Sequence, residues 1–436
     1  MVIASGIAAG AIVGATNSAP IKGWAEPGQI NTQVPSIREI SFALLSDDLA
    51  KIQPLLDEYG AANNVTFRTD PNSHDDLYVK LNINLTQSTA AYDLVSMEDP
   101  WLPLFAGGKL LEDIGEMMDK RGVPPDPDVI PALMALGEFP TGSGLRALPW
   151  VGNVQAFAWR TDLLSSRRQE VPRTWDEVLV LASAITSDGK ADNLFGIGVQ
   201  GQAGRAAATS FLPVLRGFGK DLLDPETNEP QLETPEAMAA LDLHLKLAKQ
   251  APPGVEDVGS TQNGDNFSSG RIAMSGDIWP GQLLQAIDPR HSAVVDKIAV
   301  GPEPAQPNVV PVNTTENWLL GIPTGAANAE LALDFMLWFT APEQQRRLLL
   351  NSGVMPTRAS VMTDAEAIAK FPFLPGYLDA ARHGVPRVRT PYYPALELIY
   401  GRYVSEVIAG KTDAQDAMAN ANKEIRNILV REGVIT

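Results

Sequence analysis

Tryptophan, carboxylate and amide side chains recur where the predicted strands of this chain end. Ligands bind outside the carboxyl ends of strands in open α/β sheets, so these residues are the first candidates for a functional site. A tryptophan ring offers a face for apolar C–H patches, and carboxylates and amides form hydrogen bonds with hydroxyl groups. The pattern predicts a pocket for a sugar or polyol. The stretches are Ser46–Asp48, Glu98–Trp101, Pro149–Asn153, Gln200–Gln202, Asp277–Trp279 and Asn317–Trp318.

The segment FSSGRIAMSGDIWPG (Phe267–Gly281) places one large aromatic residue, Trp279, among small residues. We expect a helix end at Phe267, then a buried strand RIAMSG finishing at Asp277, then a turn at Pro280–Gly281. Core packing is the ordinary role of a tryptophan. A position after a strand favours a ligand platform instead.

Two acid pairs, Asp47/Asp48 and Glu98/Asp99, leave a catalytic alternative open. Glycosidases use two carboxyl groups at a set separation, which the sequence alone does not define. Carboxylates at strand ends also accept hydrogen bonds from sugar hydroxyls without catalysis. A glycoside hydrolase or lyase acting on an oligosaccharide therefore stays an alternative to a binding protein.

The segment GIGVQG (Gly196–Gly201) matches the glycine pattern of dinucleotide-binding loops. That pattern normally opens the first βαβ unit, whereas this one lies mid-chain. Asp221, at nearly the right spacing for a ribose ligand, follows the turn RGFGK rather than a second strand. We expect a strand and turn that need close backbone approach, and no nicotinamide cofactor.

Composition excludes several functions. The net charge of −18 argues against nucleic acid and anionic membrane surfaces as partners. Without cysteine there is no disulfide framework, thiolate metal site or lipidated lipobox, and the four histidines have no ligand-like spacing. A chain of 436 residues is long enough for two lobes.

The first residues resemble a secretory signal. Val2–Ala15 is an apolar run too short to span a bilayer, and small residues that suit cleavage after Ala19 or Ala25 follow it. No Lys or Arg precedes Lys22, so either the true start lies upstream or the segment is a flexible Ala/Gly tail. We take residues 1–35 as a signal-like segment and expect export.

Strand and helix patterns alternate along the chain. Ile40–Leu45 predicts a strand, and Ser46 or Asp47 is expected to cap the helix after it. The alternation indicates mainly parallel sheets covered by helices. Further helices are predicted at Trp175–Thr186, Ala206–Gly217, Pro235–Lys249, Ala327–Thr340 and Pro342–Leu350.

Five blocks between about residues 40 and 360 resemble, in order, the family 1 extracellular solute-binding proteins of ABC importers. This carbohydrate group includes the maltose- and glycerol-phosphate-binding proteins. The blocks are AAYDLVSMEDPWLPLFAGGKLLED, ALPWVGNVQAFAWRTDLL (with Trp159-Arg160 for the usual Tyr-Asn), VPRTWDEVLVLASAI, FSSGRIAMSGDIWPG, and the run from IPTGAANAELALDF to GVMPTRASV.

The resemblance implies an α/β fold of periplasmic-binding-protein type II, with two lobes that are each a mixed, mostly parallel sheet flanked by helices. Three crossings would lie near Ala147–Asn153, Gly301–Pro307 and Ser352–Thr357. Lobe 1 would hold residues 36–147 and 303–352, and lobe 2 residues 148–302 and 353–436. The lobes would close on a ligand in the cleft between them.

The implied protein is a periplasmic monomer that needs no cofactor and delivers a sugar or polyol to an ABC transporter permease. A sugar-sensing protein that feeds a receptor is the alternative within this fold. The missing lipobox cysteine favours a soluble periplasmic protein over a lipoprotein.

The expected site has three groups of residues and no catalytic residue. Trp279, whose family counterpart stacks on a sugar ring, leads the aromatic platforms, and core packing stays the alternative for the others. Asp99 matches a family acid that binds hydroxyls. Arg358 could grip a hydroxyl pair or an anion, or form an interlobe salt bridge. The remaining candidates are Trp101, Trp150, Trp318, Ser46, Asp47, Asn153 and Gln200.

Overall fold

The structure is a computed structural model that describes residues 38–87, 90–140 and 142–436. The signal-like segment predicted at residues 1–35 lies outside the described residues. Within the described part of the chain, every helix is too short or too polar to cross a bilayer.

The strands in chain order are β1 (Arg38–Leu45), β2 (Val65–Asn72), β3 (Leu94–Glu98), β4 (Leu148–Val151), β5 (Ala156–Arg160), β6 (Met274–Ile278), β7 (Ile298–Gly301), β8 (Asn313–Thr315), β9 (Trp318–Gly321) and β10 (Gly384–Pro386).

The α-helices in chain order are α1 (Ser46–Asn63), α2 (His74–Leu85), α3 (Leu102–Gly107), α4 (Ile114–Lys120), α5 (Pro131–Met134), α6 (Thr161–Ser166), α7 (Trp175–Gly189), α8 (Arg205–Gly217), α9 (Pro235–Ala248), α10 (Ser260–Ser268), α11 (Pro280–Ile287), α12 (Ala329–Phe339), α13 (Pro342–Ser352), α14 (Ala359–Met362), α15 (Ala365–Lys370), α16 (Leu374–Arg382), α17 (Tyr393–Ile408) and α18 (Ala414–Arg431).

Two sheets organise the fold. A five-stranded sheet has the order β2-β1-β3-β9-β4, parallel across β2, β1 and β3 and antiparallel at β9. A three-stranded sheet has the order β6-β5-β7 with both pairs antiparallel, and β10 pairs with β8 in a small parallel ribbon. The sheets are mixed as expected. Parallel pairs are fewer than expected, because β5 and β9 each run against both neighbours.

Buried strands and amphipathic helices form where the periodicity predicts them. Strand β1 is buried at consecutive positions from Ile40 to Leu44, as a central strand covered on both faces should be. Helix α7 begins at the predicted Trp175 and is capped by Thr174, since the Glu177 backbone N–H donates to Thr174 Oγ1 at 3.2 Å. At α1 the prediction is wrong: Leu45 occupies the cap position, and Ser46 is already helical.

The GIGVQG segment is a packing feature. A Cβ at Gly196 would collide with the backbone of Ala182, and one at Gly198 with Asn263 Oδ1. Gly198 also forms a parallel bridge with Ser275 at the edge of the three-stranded sheet. The glycines therefore allow close approach between backbones, as the sequence indicates.

Candidate ligand-binding site

A polar cavity of about 400 Å³ lies where residues that follow β4, β6 and β8 meet the first turns of α8. Three of the residues that line it, Asn153, Gln200 and Trp279, are predicted site residues. Gln202 belongs to the candidate stretch Gln200–Gln202, and the lining residues without a sequence prediction are Arg205, Ala206, Thr209, Ser260 and Glu316. Amides, hydroxyls and one aromatic ring make up most of the surface, with a single pair of opposite charges.

Trp279 follows β6 directly and takes the cap position of α11. The indole Nε1–H donates to Asp277 Oδ1 at 3.0 Å, and the backbone N–H donates to Gln282 Oε1 at 2.8 Å. The turn expected at Pro280–Gly281 is instead the first turn of α11, because proline suits the start of a helix. The ring is half-buried, so part of it faces the cavity.

Asp277 holds this corner of the cavity together. Its buried carboxylate also accepts hydrogen bonds from Gln155 Nε2 at 2.6 Å and from Gln200 Nε2. Burial raises the pKa of Asp277 to about 6, against the hydrogen bonds from Gln155 and Trp279 that lower it. Among the described residues, the side-chain oxygens of Gln155 and Gln200 have no hydrogen-bond partner, and of the two glutamines Gln200 lines the cavity, where its oxygen can accept a hydrogen bond.

Two arginines pair with three glutamates beside the cavity, and of these five residues Arg205 and Glu316 line it. Arg205 Nη2 lies 3.1 Å from Glu98 Oε1 and also pairs with Glu316. Arg387 pairs with Glu316, and its Nε lies 3.7 Å from Glu397 Oε1. Burial alone would raise the pKa of Glu98, but the charge of Arg205 and a hydrogen bond with His74 bring it down to about 2. The Glu98 carboxylate is therefore ionised and paired.

Asp99, Trp101 and Trp318 lie together beside this network, at the end of β3. The backbone N–H of Asn317 donates to Asp99 Oδ1 at 3.1 Å, and burial raises the pKa of Asp99 to about 7 despite Arg389 and Arg387 nearby. The rings of Trp101 and Trp318 are edge-on, with centroids 5.7 Å apart. They form an aromatic group behind Glu98, which pairs opposite Trp318 in the sheet.

Four predicted residues lie elsewhere. Ser46 and Asp47 are exposed in the first turn of α1. Trp150 is buried in the core beside Phe339, which is the packing role weighed against ligand contact. None of these lines the cavity.

Arg358 is the fourth predicted residue that lies away from the polar cavity. It lies 2.6 Å from Asp126 Oδ2 and 3.3 Å from Asp128 Oδ2, beside a separate, mainly apolar cavity. Its Nε also donates to the Thr340 carbonyl at 2.6 Å. The structure therefore shows the salt-bridge alternative for this arginine rather than a place in the polar cavity.

Signals for the missed residues were weak. Arg205 follows the GIGVQG segment at a helix start, and Glu316 directly precedes the predicted pair Asn317–Trp318. Arg387 lies in VPRVRTPYYP, beyond the blocks that carry the family resemblance. Within residues 38–87, 90–140 and 142–436, no cluster of His, Asp or Glu is arranged to hold a metal ion.

The family model described as bacterial extracellular solute-binding protein matches residues 43–346. A probable amino-acid ABC transporter periplasmic-binding protein of Sinorhizobium fredii is 24% identical over 383 residues, which is 83% of this chain and 82% of that protein.

Solved structures share the fold. An ABC transporter solute-binding protein from Agrobacterium radiobacter K84 in complex with ribitol matches with a TM-score of 0.77 at 24% identity, covering 90% of this chain and 98% of that one. The maltose-bound MalE3 of T. maritima matches with a TM-score of 0.75 at 24% identity, covering 90% and 100%. The expected two-lobe α/β fold is thereby confirmed.

Proposed function

This chain belongs to the bacterial extracellular solute-binding proteins, and we propose that it binds a small, uncharged sugar or polyol in the cavity beside Trp279. One observation carries the proposal: the two charged residues of the lining, Arg205 and Glu316, are paired with each other, and the remaining polar groups are amides and hydroxyls around an aromatic ring. Such a surface has no unpaired charge to offer an ionic ligand, whereas it suits hydroxyl groups and C–H faces.

Binding is the whole of the proposed activity. The Trp279 ring would cover an apolar face of the ligand, and the amide oxygen of Gln200 would accept a hydrogen bond from a ligand hydroxyl. The ribitol and maltose of the two similar structures are ligands of this chemical kind. No residue of the cavity is assigned a catalytic role.

We also propose delivery of the ligand to the permease of an ABC importer, from the periplasm and as a monomer. Membership of an extracellular family and the naming of the Sinorhizobium relative support this role. The lobe division at residues 36–147 plus 303–352, against 148–302 plus 353–436, remains part of the proposal. The separate five- and three-stranded sheets are consistent with it.

A ligand panel tests the proposal. Thermal unfolding is measured with pentitols, hexitols, ketoses, maltose, sugar acids and amino acids, because a ligand that binds the folded state raises the midpoint. We expect stabilisation by a neutral polyol or sugar, with the compound recovered unchanged by chromatography. Stabilisation by charged compounds only would contradict the uncharged ligand, and product formation would support the hydrolase alternative.

A further inference from the structure

Arg205 connects two parts of the fold across the polar cavity. Its guanidinium pairs with Glu98 at the end of β3 and with Glu316 in the turn between β8 and β9. Its own backbone belongs to α8, which packs against α9, α17 and the β6 strand of the three-stranded sheet. We name these three side chains the Arg205 bridge.

The backbone that carries Arg205 is held in place by the packing around it. Gly204, which precedes Arg205, has φ 88° and ψ −135°, a conformation that favours glycine. A Cβ at Gly401 of α17 would collide with the Gly204 carbonyl, so this turn is packed directly on the helix. The position of the Arg205 backbone is therefore set by α8 and α17 and not by the five-stranded sheet.

The carboxylate end is buried, while the arginine end is open. Glu98 and Glu316 are 5% and 6% exposed, whereas the Arg205 side chain is 42% exposed. Arg387, the other partner of Glu316, is 3% exposed and also lies 5.9 Å from the centroids of the Trp279 and Tyr393 rings. Arg387 is thus buried behind the cavity lining, and Arg205 is the arginine that water, salt or a ligand can reach.

We propose that Arg205 is a positioning residue that holds the five-stranded sheet and α8 together around the cavity before any ligand enters. Its charge contacts would favour the closed arrangement of the empty protein, and dissolved salt would weaken them because the guanidinium is exposed. The effect on ligand binding rests on the proposed function. The closure itself does not, so it can be measured without a ligand.

Spin labels give a direct measurement. The chain has no cysteine, so Ile83→Cys on α2 and Lys249→Cys after α9 supply two unique labelling positions, both exposed. Distances between the labels are recorded by pulsed electron paramagnetic resonance in the empty protein, at about 20 mM and about 500 mM NaCl, between which the Debye length falls several-fold.

The variant series is Arg205→Gln, Glu98→Gln and Arg402→Gln. Arg402 is a matched control, because it is 43% exposed and forms its ion pair with Glu424 away from the cavity. We expect Arg205→Gln to raise the ratio of longer to shorter distances about five- to tenfold at low salt, since charge-assisted hydrogen bonds are lost. In the labelled protein without further substitution (the parent), high salt should also raise the ratio of longer to shorter distances. Arg402→Gln should give the same ratio as the parent.

The measurement distinguishes failure of the Arg205 bridge from failure of the proposed ligand. Parent-like distances in Arg205→Gln, in a protein with a normal melting transition, would overturn the proposal. Glu98→Gln keeps the test valid if Arg205→Gln folds poorly, since it removes one charge of the same bridge, and parent-like distances there would overturn it equally. A salt-dependent distance with no sugar bound in the panel would leave the bridge intact and contradict only the proposed ligand.

Discussion

The indole Nε1–H of Trp279 donates to Asp277 Oδ1 at 3.0 Å, across the end of strand β6. Two residues of one short segment thereby fix each other, because the carboxylate is also held by Gln155 and Gln200. The hydrogen bond orients the ring, and Arg387 lies 5.9 Å from its centroid. The platform is consequently set in place before a ligand arrives, which reduces the entropy that binding must overcome.

Trp279→Ala should weaken binding of the ligand found in the panel by about 1–3 kcal/mol, since a pre-set aromatic anchor is removed from the wall of the cavity. Calorimetric titration measures the change. Trp338→Ala is the control, because this half-buried tryptophan packs on Tyr59 and lies outside the cavity lining. It should lower the melting temperature and leave the Kd unchanged. An unaltered Kd in Trp279→Ala would remove the ring from the site.

Glu303→Gln should stabilise the protein at alkaline pH. Burial, and then the charge of Asp277, raise the pKa of Glu303 well above its ordinary value, and neither carboxyl oxygen has a hydrogen-bond partner among the described residues. A raised folded-state pKa gives stability that is complete below the unfolded pKa of 4.5 and is lost as pH rises through the folded pKa. The glutamine carries no charge and avoids this loss.

Melting temperatures measured from about pH 4 to about pH 9 test the prediction. Parent and Glu303→Gln should melt together at the acidic end and diverge as pH rises, with the variant the more stable. Glu170→Gln, at an exposed position, should follow the parent throughout. Parallel curves for Glu303→Gln and the parent would show that this carboxyl is ionised without cost.

Local patterns predicted the elements well and the site less completely. The strand and helix periods located β1, α7, α8, α9 and α12 within a few residues. The position after β6 predicted a ligand platform at Trp279, and this ring lines the cavity, because cavities form at strand ends in this class of fold. Such local signals carry no information on which distant residues meet.

The sequence alone does not predict which charged residues form ion pairs. Glu98, Arg205, Glu316 and Arg387 are separated by up to 289 positions, from residue 98 to residue 387, and only the folded chain brings them together. Arg358 shows the converse, since its motif position suggested the cleft while Asp126 and Asp128 hold it elsewhere. Ion pairs depend on tertiary contacts that no local window records.

Gly198→Ala should destabilise the protein by about 1–3 kcal/mol, because the new methyl group would overlap Asn263 Oδ1 in a packed region. Asn263 Nδ2 donates to the Asp277 carbonyl at 3.1 Å, so the strain should reach the cavity. Chemical denaturation measures the loss. Gly281→Ala is the control: its Cβ would meet nothing within 4 Å, and stability should stay the same or rise by about 0.4–1 kcal/mol. A fully stable Gly198→Ala would contradict the packing role of GIGVQG.

Arg387→Lys should cost about 2–4 kcal/mol of folding stability and also weaken ligand binding. The guanidinium is 3% exposed, pairs with Glu316 and lies beside the rings of Trp279 and Tyr393. A lysine keeps the charge but is not planar and cannot reach both glutamates and both rings, which leaves buried carboxylate charge uncompensated.

Arg402→Lys is the matched control for this substitution. Arg402 has the same kinds of contact at the surface, with its guanidinium carbon 4.2 Å from the Tyr403 ring centroid and an ion pair to Glu424. Exposed contacts of this kind contribute under about 1 kcal/mol, so the control should unfold like the parent. Denaturant unfolding of both variants gives the comparison, and titration with the panel ligand gives the binding effect. Equal small losses in both would mean that Glu316 is adequately neutralised by Arg205 alone, and Arg387 would then have no special role in setting the Trp279 platform.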